Sequence, residues 1–235
     1  SLYPDLLTFE HYLAGISSLI VVILEAPGAI AELGAFTQSK PASEKMVVVV
    51  PEHHHDKGKP TFMEMGPLRV VGKARPGGVL VYPWQESDPK TIENDVVSDV
   101  ISDIESHLTS HKTEVFDISR IEHIIILVAD LINRFLALKR KEVSSFLSVV
   151  GVKASDKVVE RMLFCLVKLD VVRRKTRGNR TFYLPGGRKF HELEYRHKER
   201  ISLDAFRVQS KCLEFYQNSS EERHRVRVMR ESHDG

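Results

Sequence analysis

Two short apolar runs, separated by a Pro-Gly step and a helical segment, constrain the fold of this chain more than any other feature. Residues 18–24 and 45–50 are rich in Val, Ile and Leu, and runs of this length and composition are typical of strands buried in a parallel sheet. Pro27-Gly28 breaks the first run, and residues 29–38 then place apolar side chains at helical spacing. The order strand, turn, helix, strand predicts a βαβ unit with a right-handed crossover.

The rest of the first half favours the same fold class. Residues 3–14 and 88–108 have the apolar periodicity of helices, the second with an acidic outer face, and residues 79–82 form another short β-rich run. Residues 53–60 are polar and are expected to form a loop. We therefore expect an α/β domain with a Rossmann-like, flavodoxin-like parallel sheet.

The second half of the chain has a different character. Residues 121–138, 142–149 and 155–169 have the patterns of three helices, and short β segments at 171–172 and 181–184 flank a basic stretch. Three helices followed by a hairpin with a basic tip is the order of a winged helix-turn-helix domain.

These patterns divide the chain into three predicted regions. Residues 1–112 form the α/β domain, residues 113–190 the winged helix domain, and residues 191–235 a helical basic tail.

Charge is distributed unevenly along the chain. Up to residue 172 there are 18 Lys+Arg against 23 Asp+Glu, and from residue 173 there are 16 against 9. Seven of the cations and no acid lie in residues 173–191. Such a patch attracts phosphate backbones through counterion release, although a charge run is more commonly a solvated surface. The residues predicted to bind nucleic acid are Lys157, Arg161, Arg173, Arg174, Lys175, Arg177 and Arg180.

The predicted recognition helix, residues 155–169, is a poor surface for reading bases because its cations alternate with acids. We therefore expect contacts dominated by the nucleic-acid backbone, with stacking from Phe182 and Tyr183 beside the basic hairpin. A winged helix that docks on protein is the alternative.

Several classes of protein are excluded by the sequence. The longest uninterrupted apolar runs have six residues, whereas a membrane-spanning helix needs about 20, and no signal peptide opens the sequence. Cys165 and Cys212 are the only cysteines, which excludes a disulfide framework and indicates a reducing, cytoplasmic setting. Adjacent residues cannot all face one ion, so His53, His54 and His55 predict a polar loop. We expect no metal and no membrane partner.

The candidate chemistry surrounds the Pro-Gly turn. Glu25 follows the first predicted strand, at the carboxyl edge where open α/β sheets bind their ligands. The helix that begins there offers N–H groups and a dipole suited to an anion, so the predicted substrate-binding residues are Glu25, Pro27, Gly28 and Ala29. Glu32 is expected to point back toward this crevice, where a carboxylate can attack an anomeric carbon or stabilise an oxocarbenium-like transition state. A surface acid that complements the helix dipole is the structural alternative.

The string Glu-Leu-Gly-Ala that begins at Glu32 resembles the Glu-Leu-Gly-(Tyr/Ala) signature of nucleoside deoxyribosyltransferases and related N-glycosidases. The resemblance implies that Glu32 is the catalytic nucleophile, and Glu25 lies one position from the family's acidic residue for base contact. Residues 58–66 also resemble the family's Gly-Lys-Pro…Met…Gly loop. Phe62 stands where the family commonly has an Asn that reaches into the neighbouring subunit's site, which argues against transfer between deoxynucleosides.

The whole chain, a deoxyribosyltransferase-like domain followed by a winged helix and a basic tail, resembles the effector proteins of retron anti-phage systems. The resemblance implies a toxin that cleaves an N-glycosidic bond, with NAD or another nucleotide as substrate and no cofactor. It also implies control by a retron reverse transcriptase and its multicopy single-stranded DNA–RNA hybrid (msDNA), and assembly as a homo-oligomer. The family's fold starts with a strand, turn and helix that contact sugar and base, so we expect an upstream segment to be missing from this sequence.

Two other functions remain open at this point. One is a ligand-sensing winged-helix DNA-binding regulator without catalytic activity, which predicts no turnover and a preference for a duplex operator. The other is mainly structural, with the long helices assembling copies of the chain into a larger particle.

Overall fold

The computed structural model describes residues 2–55, 61–84, 92–108, 114–188, 190–191, 193–195 and 204–231. The chain divides into two compact units. Leu13–Val115 form the first, called the sheet unit below, and Phe116–Gly235 together with Ser1–Tyr12 form the second, called the hairpin unit. The domain boundaries expected from the sequence stay predictions.

Three parallel strands form the centre of the sheet unit. They are β1 (Ile20–Ile23), β2 (Met46–Pro51) and β3 (Val79–Tyr82), hydrogen-bonded in the order β1-β2-β3. β2 is buried along its whole length because it lies between the other two strands. The mixed α/β class and the parallel sheet are therefore confirmed, while the Rossmann-like and deoxyribosyltransferase-like assignments stay predictions.

Helical segments precede, connect and follow these strands. In chain order they are α1 (Leu6–Ile16), α2 (Pro27–Thr37), α3 (Lys40–Ser43), a 3-10 turn (Glu52–His54), a π-helical turn (Glu64–Leu68) that continues into α4 (Arg69–Ala74), and α5 (Asn94–Leu108). α2 forms the crossover from β1 to β2, as the βαβ pattern predicts. The predicted start of the acidic helix at residue 88 lies outside the described residues.

One face of the sheet packs on α2 and α4 in a single apolar cluster. Leu33 and Phe36 of α2 and Val71 of α4 are buried in it with Val22 and Val48, which pair across β1 and β2. Residues three or four apart share a helix face and residues two apart share a strand face, so the sequence pattern alone creates this core. The cluster fixes α2 on the sheet and thereby positions the turn that precedes it.

The segment after β2 differs from the expected loop. Within the expected loop at residues 53–60, the first two residues belong to the 3-10 turn and residues 56–60 lie outside the described residues, while the chain is helical from Phe62 onward, inside the stretch that resembles the family's loop. The Thr61 N–H donates to Glu64 Oε2 at 2.8 Å, and the Glu64 N–H donates to Thr61 Oγ1 at 3.3 Å. This reciprocal pair is a capping box, which starts the helix.

The hairpin unit consists of helices packed around a two-stranded antiparallel sheet. Its elements are α6 (Ile121–Phe135), α7 (Arg140–Val149), α8 (Asp156–Lys168), β4 (Val172–Arg177), β5 (Arg180–Pro185), α9 (Ala205–Asn218) and α10 (Arg223–Arg230). The order of three helices and a hairpin agrees with the sequence prediction. Identification of this unit as a winged helix stays a prediction.

The hairpin is longer than the sequence indicated. Residues 173–177 and 180 were expected in a loop, but they belong to the strands, and only Gly178-Asn179 form the turn. Gly178 has φ +56°, a left-handed conformation that glycine adopts without steric cost. The basic residues consequently have fixed positions on a β-ribbon.

The C-terminal helices are anchored by one buried arginine. Arg225 of α10 is 3% exposed, donates to Glu142 through both terminal nitrogens, and also donates to the Ala137 carbonyl. Its guanidinium lies 5.7 Å from the Phe182 ring centre and 5.0 Å from that of Tyr216. α10 therefore belongs to the packed body of the hairpin unit. Across the described residues, no helix combines the length and apolarity needed to cross a membrane.

Candidate functional site

The predicted substrate-binding residues lie at the carboxyl edge of the sheet. Glu25 lies two residues after the end of β1, and its N–H donates to the Ile23 carbonyl at 2.9 Å. Glu25, Pro27 and Gly28 are exposed and Ala29 is half-buried. The structure thus brings these four residues together at the start of α2, on a rim that solvent reaches.

The start of α2 leaves its backbone accessible. The N-cap residue Ala26 is extended, with φ −156° and ψ 160°, and makes no side-chain cap. Pro27 has no N–H, while the N–H groups of Ala29 and Ile30 donate to the Ala26 carbonyl at 3.0 and 3.4 Å. A Cβ added at Gly28 would meet no atom within 4 Å. An anionic group can therefore approach the helix terminus closely, where the backbone dipoles favour it.

Glu32 lies in the second turn of α2 and is exposed. Glu32 follows Gly28 by one helical turn and lies on the same side of the helix. Because the Cα–Cβ bonds of a helix tilt toward its N-terminus, the Glu32 side chain leans toward the Gly28 end. Leu33, the next residue, is fully buried and holds this part of the helix on the sheet. Within the described ranges no residue forms a hydrogen bond or ion pair with Glu32. The crevice expected from the sequence is an open rim at this point.

A second carboxylate near β2 was missed by the sequence interpretation. The Glu64 side chain is only 15% exposed, and its Oε1 lies 3.2 Å from His55 Nδ1. Its other oxygen accepts the Thr61 N–H, so both oxygens are engaged. The π-helical turn that carries Glu64 packs against α2. Glu64 is therefore a structural support beside the helix of Glu32, and the Thr-x-x-Glu spacing was the available signal.

The described part of the chain contains no arranged set of metal ligands. No group of three or more His, Cys, Asp or Glu residues there is placed to hold an ion. The His53 and His54 rings instead lie against each other, with centres 4.3 Å apart, in the turn after β2.

Both cysteines lie in helices of the hairpin unit, one buried and one half-buried. Cys165 is fully buried in α8, and burial raises the pKa of its thiol to about 11. Cys212 is half-buried in α9, and burial raises its pKa as well. Thiols with raised pKa values hold little thiolate at neutral pH and are poor nucleophiles.

The predicted nucleic-acid-binding residues of the hairpin differ in their surroundings. Arg173 Nε lies 3.6 Å from Asp170 Oδ1, and Arg177 forms an ion pair with Glu231. The remaining three are exposed and form no ion pair with any described residue: Arg174, Lys175 and Arg180. These three present uncompensated positive charge to solvent.

The two predicted residues on α8 also differ. Lys157 is exposed in the first turn, after the N-cap Ser155, whose side chain accepts the Val158 N–H at 3.4 Å. Arg161 is half-buried, and its Nε donates to the Leu2 carbonyl at 3.0 Å.

The expected stacking of bases on the hairpin is wrong for both proposed rings. Phe182 is fully buried, and Tyr183 is 8% exposed and pairs with Leu138 through both backbone groups. Alternate residues of a strand face opposite sides, and here both sides of β5 are covered by helices of the unit. Bases cannot reach either ring in this fold.

The fold and the site define a mixed α/β protein. At the edge of its parallel sheet, the exposed carboxylate of Glu32 follows the start of α2, and the second unit carries the cationic β4-β5 hairpin. The sequence model of the STM3845 retron effector protein family matches residues 1–174, so the chain belongs to this family. Membership indicates a role in retron-associated defence.

A relative in Escherichia coli is named "Retron Ec86 putative ribosyltransferase/DNA-binding protein". It is 32% identical over 76 residues, which are 32% of this chain and 24% of the relative. The match thus spans about a quarter of the relative's length.

Proposed function

We propose that this chain is a retron effector that cleaves an N-glycosidic bond of a nucleotide, with Glu32 as the nucleophile. The observation that carries the proposal is the position of Glu32, which lies one turn after the accessible start of α2 at the carboxyl edge of the sheet. The chain's membership of a retron effector family supports the same proposal. The word ribosyltransferase in the relative's name supports glycosyl transfer as the class of reaction.

The proposed reaction uses residues of the rim in distinct roles. A nucleotide phosphate binds the Gly28 N–H at the start of α2, beside Ala29, and Glu25 contacts the base or ribose. A Glu32 carboxylate oxygen attacks C1′, the C1′–N bond breaks, and the base leaves with the bonding electrons. Water then attacks C1′ of the glycosyl ester and the C1′–O bond to Glu32 breaks, so that the water oxygen stays on the sugar as a hydroxyl, its second proton passes to solvent, and the Glu32 carboxylate is regenerated. NAD suits this scheme because nicotinamide leaves as a neutral base.

Glu32 is exposed on the open rim of the sheet unit. Exposed carboxylates are well hydrated, and attack on a sugar is faster where water is excluded. We therefore propose that another copy of the chain in a homo-oligomer covers the rim around Glu32.

Control of the activity is assigned to the hairpin unit. We propose that the retron reverse transcriptase and its msDNA bind there in the cytoplasm and hold the toxin inactive. The exposed cations of the hairpin support an anionic partner.

The exposure of Glu32 also favours a second candidate, a ligand-sensing DNA-binding regulator without catalysis. Incubation of the full chain with NAD and with a panel of nucleotides, followed by chromatography of the released base, separates the two. The effector predicts base release with multiple turnovers. A regulator predicts intact nucleotides and tight binding of one palindromic duplex.

A further inference from the structure

One side of α8, the predicted recognition helix, is covered by the start of the chain. The Tyr3 hydroxyl donates to the Arg161 carbonyl at 2.7 Å, and the Arg161 side chain donates to the Leu2 carbonyl. The rings of Tyr3 and Phe9 pack on Phe164, with centres 5.9 and 6.1 Å away. This side of α8 holds a protein contact and is not available for reading bases.

α10 carries uncompensated arginines on the side opposite its buried face. Arg225 and Val228 point into the hairpin unit, at 3% and 1% exposure. Arg223, Arg227 and Arg230 are exposed and spaced at i, i+4 and i+7, so they lie on one side of the helix. These three residues are called the α10 stripe below.

Two of the acids that flank α10, Glu222 and Glu231, are engaged by other cations, while Glu221 is exposed and forms no ion pair with any described residue. Glu222 Oε2 pairs with Arg225 at 2.6 Å, and Glu231 pairs with Arg177 of β4. Over the part of the chain that the structure describes, no carboxylate forms an ion pair with the α10 stripe. Its charge is therefore directed to solvent and to any anionic partner.

The hairpin tip extends the same cationic surface. The Arg177–Glu231 pair joins the end of β4 to the end of α10, and α10 packs on both strands. Arg180 is exposed and lies opposite Arg177 in the strand register. Lys175 is exposed and shares the β4 face of Arg177, because residues two apart in a strand lie on one face.

We propose that the α10 stripe, with Lys175 and Arg180, is the surface on which this protein holds a nucleic-acid backbone, in place of α8. This inference rests on the proposed function, in which the hairpin unit binds msDNA, and it assigns the surface of the protein that contacts this nucleic acid. All five cations lie beyond residue 174, where the family match ends.

The dimensions of the surface fit a run of phosphates. The seven-residue interval of the α10 stripe spans about 10 Å at 1.5 Å per residue. One strand of a B-form duplex presents a phosphate about every 3.4 Å along the helix axis, so the stripe can contact about three phosphates of such a strand. The buried positions of Phe182 and Tyr183 leave the hairpin with no ring to stack on bases, so binding is expected to depend little on sequence.

The test measures binding of full-length protein to a fluorescently labelled single-stranded DNA oligonucleotide of mixed sequence, by anisotropy over a range of salt concentrations. The triple variant R223Q/R227Q/R230Q removes the α10 stripe. The matched control K153Q/K157Q/K168Q removes three exposed charges from α8 and the turn before it. A duplex of the same sequence is titrated in parallel, to distinguish single-strand from duplex backbone.

The stripe variant is expected to bind the oligonucleotide at least about tenfold more weakly near physiological salt. The slope of log affinity against log salt concentration is expected to fall in magnitude by about 2, because each phosphate contact on a single strand contributes about 0.7. The control triple is expected to bind within about twofold of the parent, as surface charges without phosphate contacts contribute little. The double variant K175Q/R180Q is expected to lower the slope by about 1, and it gives an independent readout if the stripe variant folds poorly.

The proposal would be overturned if the stripe variant bound DNA with the parent's affinity and salt dependence. An equal loss of DNA affinity in the control triple would overturn it as well. A stripe variant that loses only self-association in sedimentation velocity, with unchanged DNA binding, would overturn it too. The variant E32Q is expected to bind DNA as the parent does, so a failed assignment of Glu32 and a failed assignment of this surface are recognised separately.

Discussion

The Tyr3 hydroxyl donates a hydrogen bond to the main-chain carbonyl of Arg161, 158 residues away, at 2.7 Å. Burial raises the pKa of Tyr3, a residue that is only 6% exposed. The contact holds the start of the chain within the hairpin unit, and α1 then continues into the residues of the sheet unit.

Loss of this hydrogen bond is expected to destabilise the hairpin unit. The variant Y3F removes the donor and leaves the Arg161 carbonyl without it, which costs about 1 kcal/mol. Urea denaturation followed by circular dichroism measures the change. Y12F is the control because the Tyr12 hydroxyl makes no hydrogen bond with any described residue, and equal midpoints for Y3F and Y12F would contradict the assignment.

Removal of the buried arginine of α10 is expected to have a larger effect. The variant R225Q leaves Glu142 half-buried without its bidentate partner, and breaking a buried pair costs about 3–5 kcal/mol. Thermal unfolding measures the loss. R227Q, on the exposed side of the same helix, is expected to stay within about 0.5 kcal/mol of the parent. Similar losses in both variants would show that the Arg225 network is not the anchor.

Acid is expected to weaken the same network. Burial by itself raises the pKa of Glu142, but hydrogen bonds from Arg225 and from the Lys139 N–H outweigh it and hold the pKa below its usual value of 4.5. A depressed pKa means that the folded state gains stability above pH 4.5 and loses it as the pH falls through the folded value. Urea midpoints of the parent are expected to drop below about pH 4.5. R225Q is expected to show a flatter dependence, and parallel curves would argue against the coupling.

A close backbone approach after β5 is expected to make one glycine irreplaceable. A Cβ added at Gly186 would collide with the Asp170 carbonyl oxygen, whereas one added at Gly28 would meet nothing within 4 Å. Overpacking of this kind typically costs about 1–3 kcal/mol, so G186A is expected to unfold at a lower temperature than the parent. G28A is the control and is expected to melt close to the parent. A parent-like melting temperature for G186A would contradict the observed approach.

The elements that local pattern determines were predictable from the sequence. β2 and the helix from Ser155 to Leu169 have apolar residues at the spacing of their own structure, and both form close to the predicted bounds. Two local features of the sequence mark where other elements begin or turn. Thr61 and Glu64 have capping-box spacing, and the strands of the hairpin continue to the Gly178 turn.

The environments of charged side chains were not predictable because they depend on partners distant in sequence. Arg161 was expected to face nucleic acid, yet Leu2 accepts its hydrogen bond. Nothing near Arg225 in the sequence indicates that it is buried against Glu142, whereas the neighbouring Arg223 and Arg227 are exposed. Helical periodicity places these side chains on faces, but long-range packing decides which face is buried.

The role of Glu32 is tested most directly by release of base from NAD and other nucleotides by full-length E32Q. The control E105Q removes an exposed carboxylate from α5 that pairs with no described residue. Loss of the nucleophile is expected to lower the rate at least about a thousandfold, whereas E105Q is expected to match the parent. Base release by E32Q at the parent's rate would contradict the account.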